Sequence, residues 1–274
     1  MLTDTFEFHA PTSVEAAVAL LADGTGSVLL GGGMSLLPLI NLGTRAPAGL
    51  VSLANVEGLA GVTKSGGVLR IGASTTHARL AADPTARAEC PVLAEAAGLI
   101  ADVQVRNRGT VGGSLAHGYP GAEYATVMSA LDATVHLRGL GGSRTVPVRE
   151  FVHGRLVTAA RPDEVITHVT VPATPAGTRA AYIRFSRVQG NYSTVNVAVV
   201  VTGERVALGI GGALEKSVVV ETTQDADIEN LARDACAGAY ADHMASAEYR
   251  VAMAGVLARR VLNIALTSAP AAEK

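Results

Sequence analysis

An α+β fold in three successive parts is what this 274-residue sequence predicts. Three observations carry the prediction. Short apolar runs alternate with helix-like segments near the start, in β–α–β–α order. Strands and helices then mix without any internal repeat. After a stretch holding Pro172, Pro175 and Gly177, three strand-like runs precede two closing helices.

Residues 12–24 (TSVEAAVALLADG) predict the first helix. Thr12 and Glu15 have capping-box spacing, Ala and Leu fill the interior, and Gly24 supplies a stop. A strand at 28–30 empties into Gly31, Gly32 and Gly33, followed by a short apolar run at 36–40 and a strand at 50–53. From about Gly58 the sequence predicts strands at 68–71, 134–137 and 165–171 and helices at 92–100 and 123–131. Beyond the proline-rich linker come strands at 181–185, 195–201 and 206–210, the last two at hairpin spacing. The closing helices cover about 225–237 and 245–266. In the second, Tyr249, Met253, Val256 and Leu257 fall on one face, with Arg259 and Arg260 nearer the end. The corresponding domain boundaries are 1–57, 58–176 and 177–274.

Composition limits the function classes. Hydrophobic residues make up 49% and charged residues 17%, enough for a sizeable core and incompatible with disorder. Aromatics are 4% with no tryptophan, so Ala, Val and Leu must build that core. A net charge of −2 without a basic run argues against nucleic acid as a partner. Cys90 and Cys236 lie far apart, in no metal-ligand spacing, so no metal or iron–sulfur site is expected in this chain. No apolar stretch approaches the ~20 residues of a membrane span. The opening MLTDTFEFHAP lacks the basic segment and apolar run of a secretory signal. A cytoplasmic location is expected.

Two glycine-rich turns stand out, GGGMS at 31–35 and TVGGS at 110–114. Consecutive backbone N–H groups in such turns form anion sites, and glycine lets a phosphate come close. Ser35, Thr110 and Ser114 add hydroxyls. Two such sites suit a ligand with two phosphates. Glycine pairs also make ordinary turns at strand ends, and composition leaves both readings open. The sequence has no GxxxxGK[ST] and no GxSxG, which excludes a P-loop and a serine-hydrolase elbow. GIGGA at 209–213 reads as a structural turn, because Leu214 stands where a dinucleotide fingerprint needs Gly or Ala.

The combination of GGGMSLLPLINL, IGASTTHARL and VRNRGTVGGSLAHGYPGAEYATVMSALDA resembles the FAD-binding medium subunit of the molybdenum hydroxylases, a family that includes aerobic carbon monoxide dehydrogenase and xanthine dehydrogenase. The likeness covers nearly the whole chain, and EYRVAMAGVLARRVLNIAL looks like the family's closing helix. It implies a small α/β domain and an α+β domain that together hold FAD, covered by a C-terminal domain of antiparallel strands and helices. It also implies a molybdopterin-containing large subunit and a 2Fe–2S small subunit as partners. Carried over, Gly31, Gly32, Gly33, Met34 and Ser35 make the first diphosphate contact, and Thr110, Val111, Gly112, Gly113 and Ser114 the second. Thr75, Thr76 and His77 sit where the family's TTHA segment approaches the cofactor. His117 lies just beyond the second turn. Glu123 stands where an acidic residue meets the ribityl hydroxyls, and Tyr192 where some relatives place an aromatic ring against the isoalloxazine.

The sequence departs from the family pattern in two places. GGG replaces AGG, and HGYPGAE replaces HADPAAD, putting Tyr119 where aspartate is usual. The leading expectation is an electron-transfer subunit that passes electrons from partner iron–sulfur clusters through FAD to an acceptor. The departures keep open a self-sufficient FAD-dependent oxidase or dehydrogenase, with His117, Tyr119 and Tyr192 touching a small organic substrate. A scaffold that has lost its cofactor is the third reading.

Overall fold

A computed structural model describes residues 5–268 of the chain. Its first sheet is parallel and three-stranded, in the order β1 (Glu7–His9), β3 (Gly49–Ser52), β2 (Ser27–Leu30). Helix α1 (Val14–Ala22) joins β1 to β2, and α2 (Leu36–Asn41) joins β2 to β3. The cap of α1 is Ser13, one residue later than the spacing of Thr12 and Glu15 predicts. Its hydroxyl accepts from the Ala16 N–H at 3.1 Å. In parallel sheets the carboxyl ends of the strands are where ligands gather. The first glycine turn sits at that end of β2.

The second sheet is antiparallel: β4 (Val62–Ser65), β5 (Val68–Gly72), β10 (Val165–Val171), β6 (Thr134–Gly139), β7 (Gly142–Pro147). Between β5 and β6 the chain forms α3 (His77–Ala82), α4 (Pro84–Glu89), α5 (Pro91–Leu99), α6 (Val103–Arg108), α7 (Val111–His117) and α8 (Glu123–Ala130). After β7 come α9 (Val148–Phe151) and a small hairpin, β8 (Val152–Gly154) with β9 (Val157–Thr158). The strand late in the sequence, β10, lies in the middle of its sheet. A register shift between Ile166 and His168 changes its side-chain phase. Ile166, Val169 and Val171 thereby join the largest core, while Val165 packs with Ala17, Val18 and Val51 of the first unit.

The third sheet is an antiparallel meander, β11 (Arg179–Phe185), β12 (Val195–Thr202), β13 (Arg205–Gly211), β14 (Val218–Thr223), followed by α10 (Ile228–Ala235) and α11 (Ala247–Thr267). Both of its faces are covered, which explains why β12 is apolar from Val195 to Val201 at every position but Asn196. Val195, Val197, Val199 and Val201 face α10 and α11, whereas Ala198 belongs to the core on the other side, around α8.

Every residue of α8 is buried. A Cβ on Gly211 would fall 2.1 Å from Thr126 Oγ1, and one on Gly209 would fall 2.7 Å from the Thr126 carbonyl. The GIGGA glycines thus let α8 lie directly on β13, in keeping with their structural reading.

The face of α11 differs from the expected one. Its buried residues are Arg250, Ala254, Gly255, Leu257, Ala258, Val261, Leu262 and Ala265, and Tyr249 is 43% exposed. Hydropathy alone could not place an arginine inward. Arg250 is 0% exposed because its Nη1 donates to the Thr194 and Gly212 carbonyls, both at 2.6 Å, and its Nη2 to Asp242 at 2.5 Å. Its guanidinium also lies over the Tyr240 ring, 4.3 Å from the centroid. No described helix is long and apolar enough to cross a membrane.

Arg250 fastens α11 to the loop before β12, to the turn after β13 and to Asp242. Removing one member of a buried, hydrogen-bonded ion pair costs roughly 3–5 kcal/mol. Arg250→Ala is therefore expected to destabilise the protein by about 3 kcal/mol in denaturant titration, and Arg250→Lys to recover only part of that loss.

Candidate functional site

The two glycine turns meet. A Cβ on Gly32 would lie 1.9 Å from the Arg108 carbonyl oxygen, and one on Gly31 3.0 Å from Thr110 Oγ1. Only bare backbone permits that approach. The second turn is held by the ASTTH segment, residues 73–77. Gly112 N–H donates to the Ala73 carbonyl at 2.8 Å, Val111 N–H to Thr75 at 3.0 Å, and His77 N–H to Gly109 at 3.0 Å. Thr76 and Thr110 form an antiparallel bridge.

A cavity of about 690 Å³ opens where the turns converge, a size within the ~300–1,000 Å³ common for cofactor sites. Thirteen of the fifteen residues singled out from the sequence line it: Gly31, Gly32, Gly33, Met34 and Ser35 from the first turn; Thr110, Gly112, Gly113 and Ser114 from the second; and His77, His117, Glu123 and Tyr192. Thr75 and Val111 do not. Both are 0% exposed. Thr75 Oγ1 bonds the Gly61 N–H at 2.9 Å and carbonyl at 3.1 Å, while Val111 sits in the main core. Their part is to fix the second turn from behind.

The turns differ in what they offer a ligand. The N–H groups of Gly32, Gly33, Met34 and Ser35 donate to no oxygen of the described residues. Four successive free donors in a glycine turn make a nest for an anion. In the second turn four of the five amides are already used: Gly113 N–H donates to Thr110 Oγ1 at 3.1 Å and Ser114 N–H to the Thr110 carbonyl at 2.9 Å, besides the two bonds above, and only the Thr110 N–H has no acceptor among the described residues. The expectation of two equivalent amide cradles gives way to one open nest faced by a turn that contributes hydroxyls and a surface without side chains. The donor set fits a diphosphate ester.

The buried ionisable groups are mostly neutral or paired. His77 is 4% exposed and its Nδ1 lies 3.0 Å from the Tyr124 hydroxyl. Burial, helped by the charge of Arg106, lowers its pKa to about 4, so it stays neutral and braces the ASTTH segment. His117 is lowered by burial and by Arg45. Glu123, 2% exposed, is pushed up to about 7 by burial, against the pull of Arg184 at 3.1 Å and of the Ser193 hydroxyl at 3.3 Å. Glu164, also in the lining, is bound at both oxygens by Arg144 at 2.6 and 2.7 Å, which holds it below the usual carboxylate range.

Arg45 lines the cavity with no carboxylate within ion-pair distance among the described residues. No motif in the sequence pointed to Arg45, Arg184 or Tyr124. A lone arginine inside the strand pattern AYIRF was the available signal for Arg184. Among the described residues no three His, Cys, Asp or Glu side chains gather as metal ligands.

Tyr192 stands at the rim, 39% exposed. Its ring centroid lies 4.1 Å from that of Tyr119, which stacks at 6.4 Å on His117. Tyr119 is not part of the lining.

Residues 4–174 match the protein family described as the FAD binding domain in molybdopterin dehydrogenase. The chain is 39% identical to the carbon monoxide dehydrogenase medium chain of Hydrogenophaga pseudoflava, over 97% of this chain and 98% of that one. It is 42% identical to the 6-hydroxypseudooxynicotine dehydrogenase complex subunit alpha of Paenarthrobacter nicotinovorans, over 74% and 69%. A solved structure of carbon monoxide dehydrogenase from Hydrogenophaga pseudoflava, lacking the molybdenum–pyranopterin moiety, superposes with a TM-score of 0.91 at 35% identity, covering 97% of this chain and 99% of that one.

Two outcomes follow from this geometry. Gly32→Ala must separate the turns, so thermal stability and ligand retention both fall, by about 1–3 kcal/mol for the overpacking. Gly154→Ala, with nothing within 4 Å, serves as the neutral control. Glu123 has a folded pKa above its ordinary 4.5, so the stability it confers is complete below that value and is lost as pH rises to about 7. Thermal unfolding of the ligand-free protein between about pH 5 and about pH 8 should show this decline, and Glu123→Gln should flatten it.

Proposed function

Because the chain belongs to the family of FAD-binding domains in molybdopterin dehydrogenases, binds FAD and is the medium chain of a multi-chain oxidoreductase, we propose that it is the electron-transfer arm of a molybdenum hydroxylase. On this reading a molybdopterin-containing large chain oxidises the substrate, and iron–sulfur clusters in a small chain lead the electrons here. The bound FAD supplies the redox chemistry, taking up electrons from those clusters and releasing them to an acceptor.

The protein's own residues bind and orient. Residues 1–57 and 58–176 hold the dinucleotide between them and 177–274 close over it. The open nest of Gly32, Gly33, Met34 and Ser35 donates to one phosphate oxygen after another, with Thr110 Oγ1 facing it. Arg45 supplies the positive charge that the uncharged nest lacks. Glu123, held by Arg184 and Ser193, presents its carboxyl to ribityl hydroxyls. Tyr192 covers the flavin ring, which must stay reachable from the rim where the tyrosine stands. The observation that supports the reading most is this nest of free amides facing the Thr110 hydroxyl, in a chain that aligns end to end with medium chains. No acid–base pair is required of this chain. The competing arrangement, a flavoprotein oxidising a small substrate unaided, called on His117, Tyr119 and Tyr192 as substrate contacts; His117 and Tyr192 line the cavity and Tyr119, at the centre of the departure that motivated it, does not.

Co-expression with the neighbouring genes should yield an assembly carrying FAD, iron–sulfur absorption and molybdopterin, whereas the isolated chain should take up FAD without being reduced by organic substrates. Reduction of the isolated holo-chain by such a substrate would reverse the assignment. Arg45→Ala should weaken FAD binding by about 1 kcal/mol, the typical scale of an exposed charge interaction. The loss should shrink in high salt and be absent for riboflavin, which has no phosphate.

A further inference from the structure

Tyr119 stands on a turn fixed from both sides. The Gly118 carbonyl accepts from Leu156 N–H at 2.9 Å, the Pro120 carbonyl from Gly212 N–H at 2.8 Å, and Tyr119's own carbonyl from Ala122 N–H at 3.0 Å. Gly118 is left-handed at φ +62°, and a Cβ there would lie 2.9 Å from Thr158. The backbone that carries the ring is therefore held in place. The His117 ring lies 6.4 Å from it with the planes 12° apart.

Tyr192 is differently placed. It lies in the loop between β11 and β12, next to Asn191, whose carbonyl accepts from Arg184. Its ring lies against that of Tyr119, with 4.1 Å between the centroids and the planes tilted by 30°. His117 and Tyr192 line the cavity, and Tyr119, whose ring lies near both, does not.

We infer that Tyr119 is a positioning residue, a rigidly mounted ring that holds Tyr192 over the cavity and so sets how tightly the flavin is covered and how readily an acceptor reaches it. The inference rests on the reading of the cavity as the FAD site. The phenol oxygen of Tyr119 plays no part in it; the ring face does. Tyr119 acts on the flavin only through Tyr192, so its effect must vanish once Tyr192 is gone.

The test uses the holo-assembly with Tyr119→Ala, Tyr119→Phe, Tyr192→Ala and the double Tyr119→Ala/Tyr192→Ala variant. Flavin fluorescence, the rate of FAD release and the reoxidation rate of the chemically reduced protein by dioxygen and by a quinone are followed. Tyr119→Ala should raise all of them by roughly 2- to 12-fold, the range an aromatic pair commands, and Tyr119→Phe should keep wild-type values. In the Tyr192→Ala background the Tyr119 substitution should add nothing. Additive effects of the two substitutions, or a Tyr119→Ala protein altered only in melting temperature, would overturn the inference. If Tyr119→Ala fails to fold, Tyr119→Leu replaces it, and unchanged flavin signals there also overturn it. A wild-type assembly without flavin would instead remove the FAD reading itself.

Discussion

The close approach of two backbone turns is the constraint on which the rest of this structure depends. Gly32 lies against the Arg108 carbonyl with no room for a methyl group, and Gly31 against the Thr110 hydroxyl. Three backbone hydrogen bonds from residues 73–77 hold the second turn at the position where this contact can form. The glycines therefore serve two ends. Those of the second turn chiefly let chain segments pack: Gly109 on His77, Gly112 on Ala73. The first turn keeps four successive amides free, the second only that of Thr110, among the described residues. A motif that looks like one device in sequence is divided in space between a binding surface and its support.

Around that contact the cavity is electrically quiet. Its two carboxyls, Glu123 and Glu164, face arginines, and His77 remains neutral because burial disfavours its charged form. Fixed dipoles from free N–H groups then act in a low-dielectric setting where they are stronger than in water. Glu123 is a balanced case, with desolvation raising its pKa and the Arg184 guanidinium opposing it. Arg45 contributes the remaining charge from the exposed edge.

The third sheet reaches this site because α8 lies between it and the middle unit. Gly209 and Gly211 let α8 rest on β13, Thr126 Oγ1 meets the Ser217 hydroxyl at 3.1 Å, and Asn196 Nδ2 reaches the Gly121 carbonyl at 3.3 Å. Arg184, Tyr192 and Ser193 are thereby carried to the cavity from residues far along the chain. Buried Arg250 ties α11 to the same loop through the Thr194 carbonyl.

By itself the sequence determined the three-part α+β order, β10 and β12 nearly to the residue, the linker between β10 and β11, and thirteen cavity-lining positions. The elements and the two glycine turns are local or periodic signals, namely apolar runs, caps, and glycines beside hydroxyl residues, whereas Met34, His77, His117, Glu123 and Tyr192 followed from the family resemblance. It passed over β1, β4, β7, the β8–β9 hairpin, β14 and the short helices α3, α4, α6, α7 and α9, because segments of two to seven residues complete no readable period. Tertiary structure alone decided the rest. It put Thr75 and Val111 in the core, spent four of the five amides of the second turn on the chain, turned Arg250 inward and set the Tyr119 ring against that of Tyr192. Each outcome depends on which distant backbone group or ring arrives to meet a residue, and no spacing along the chain encodes that.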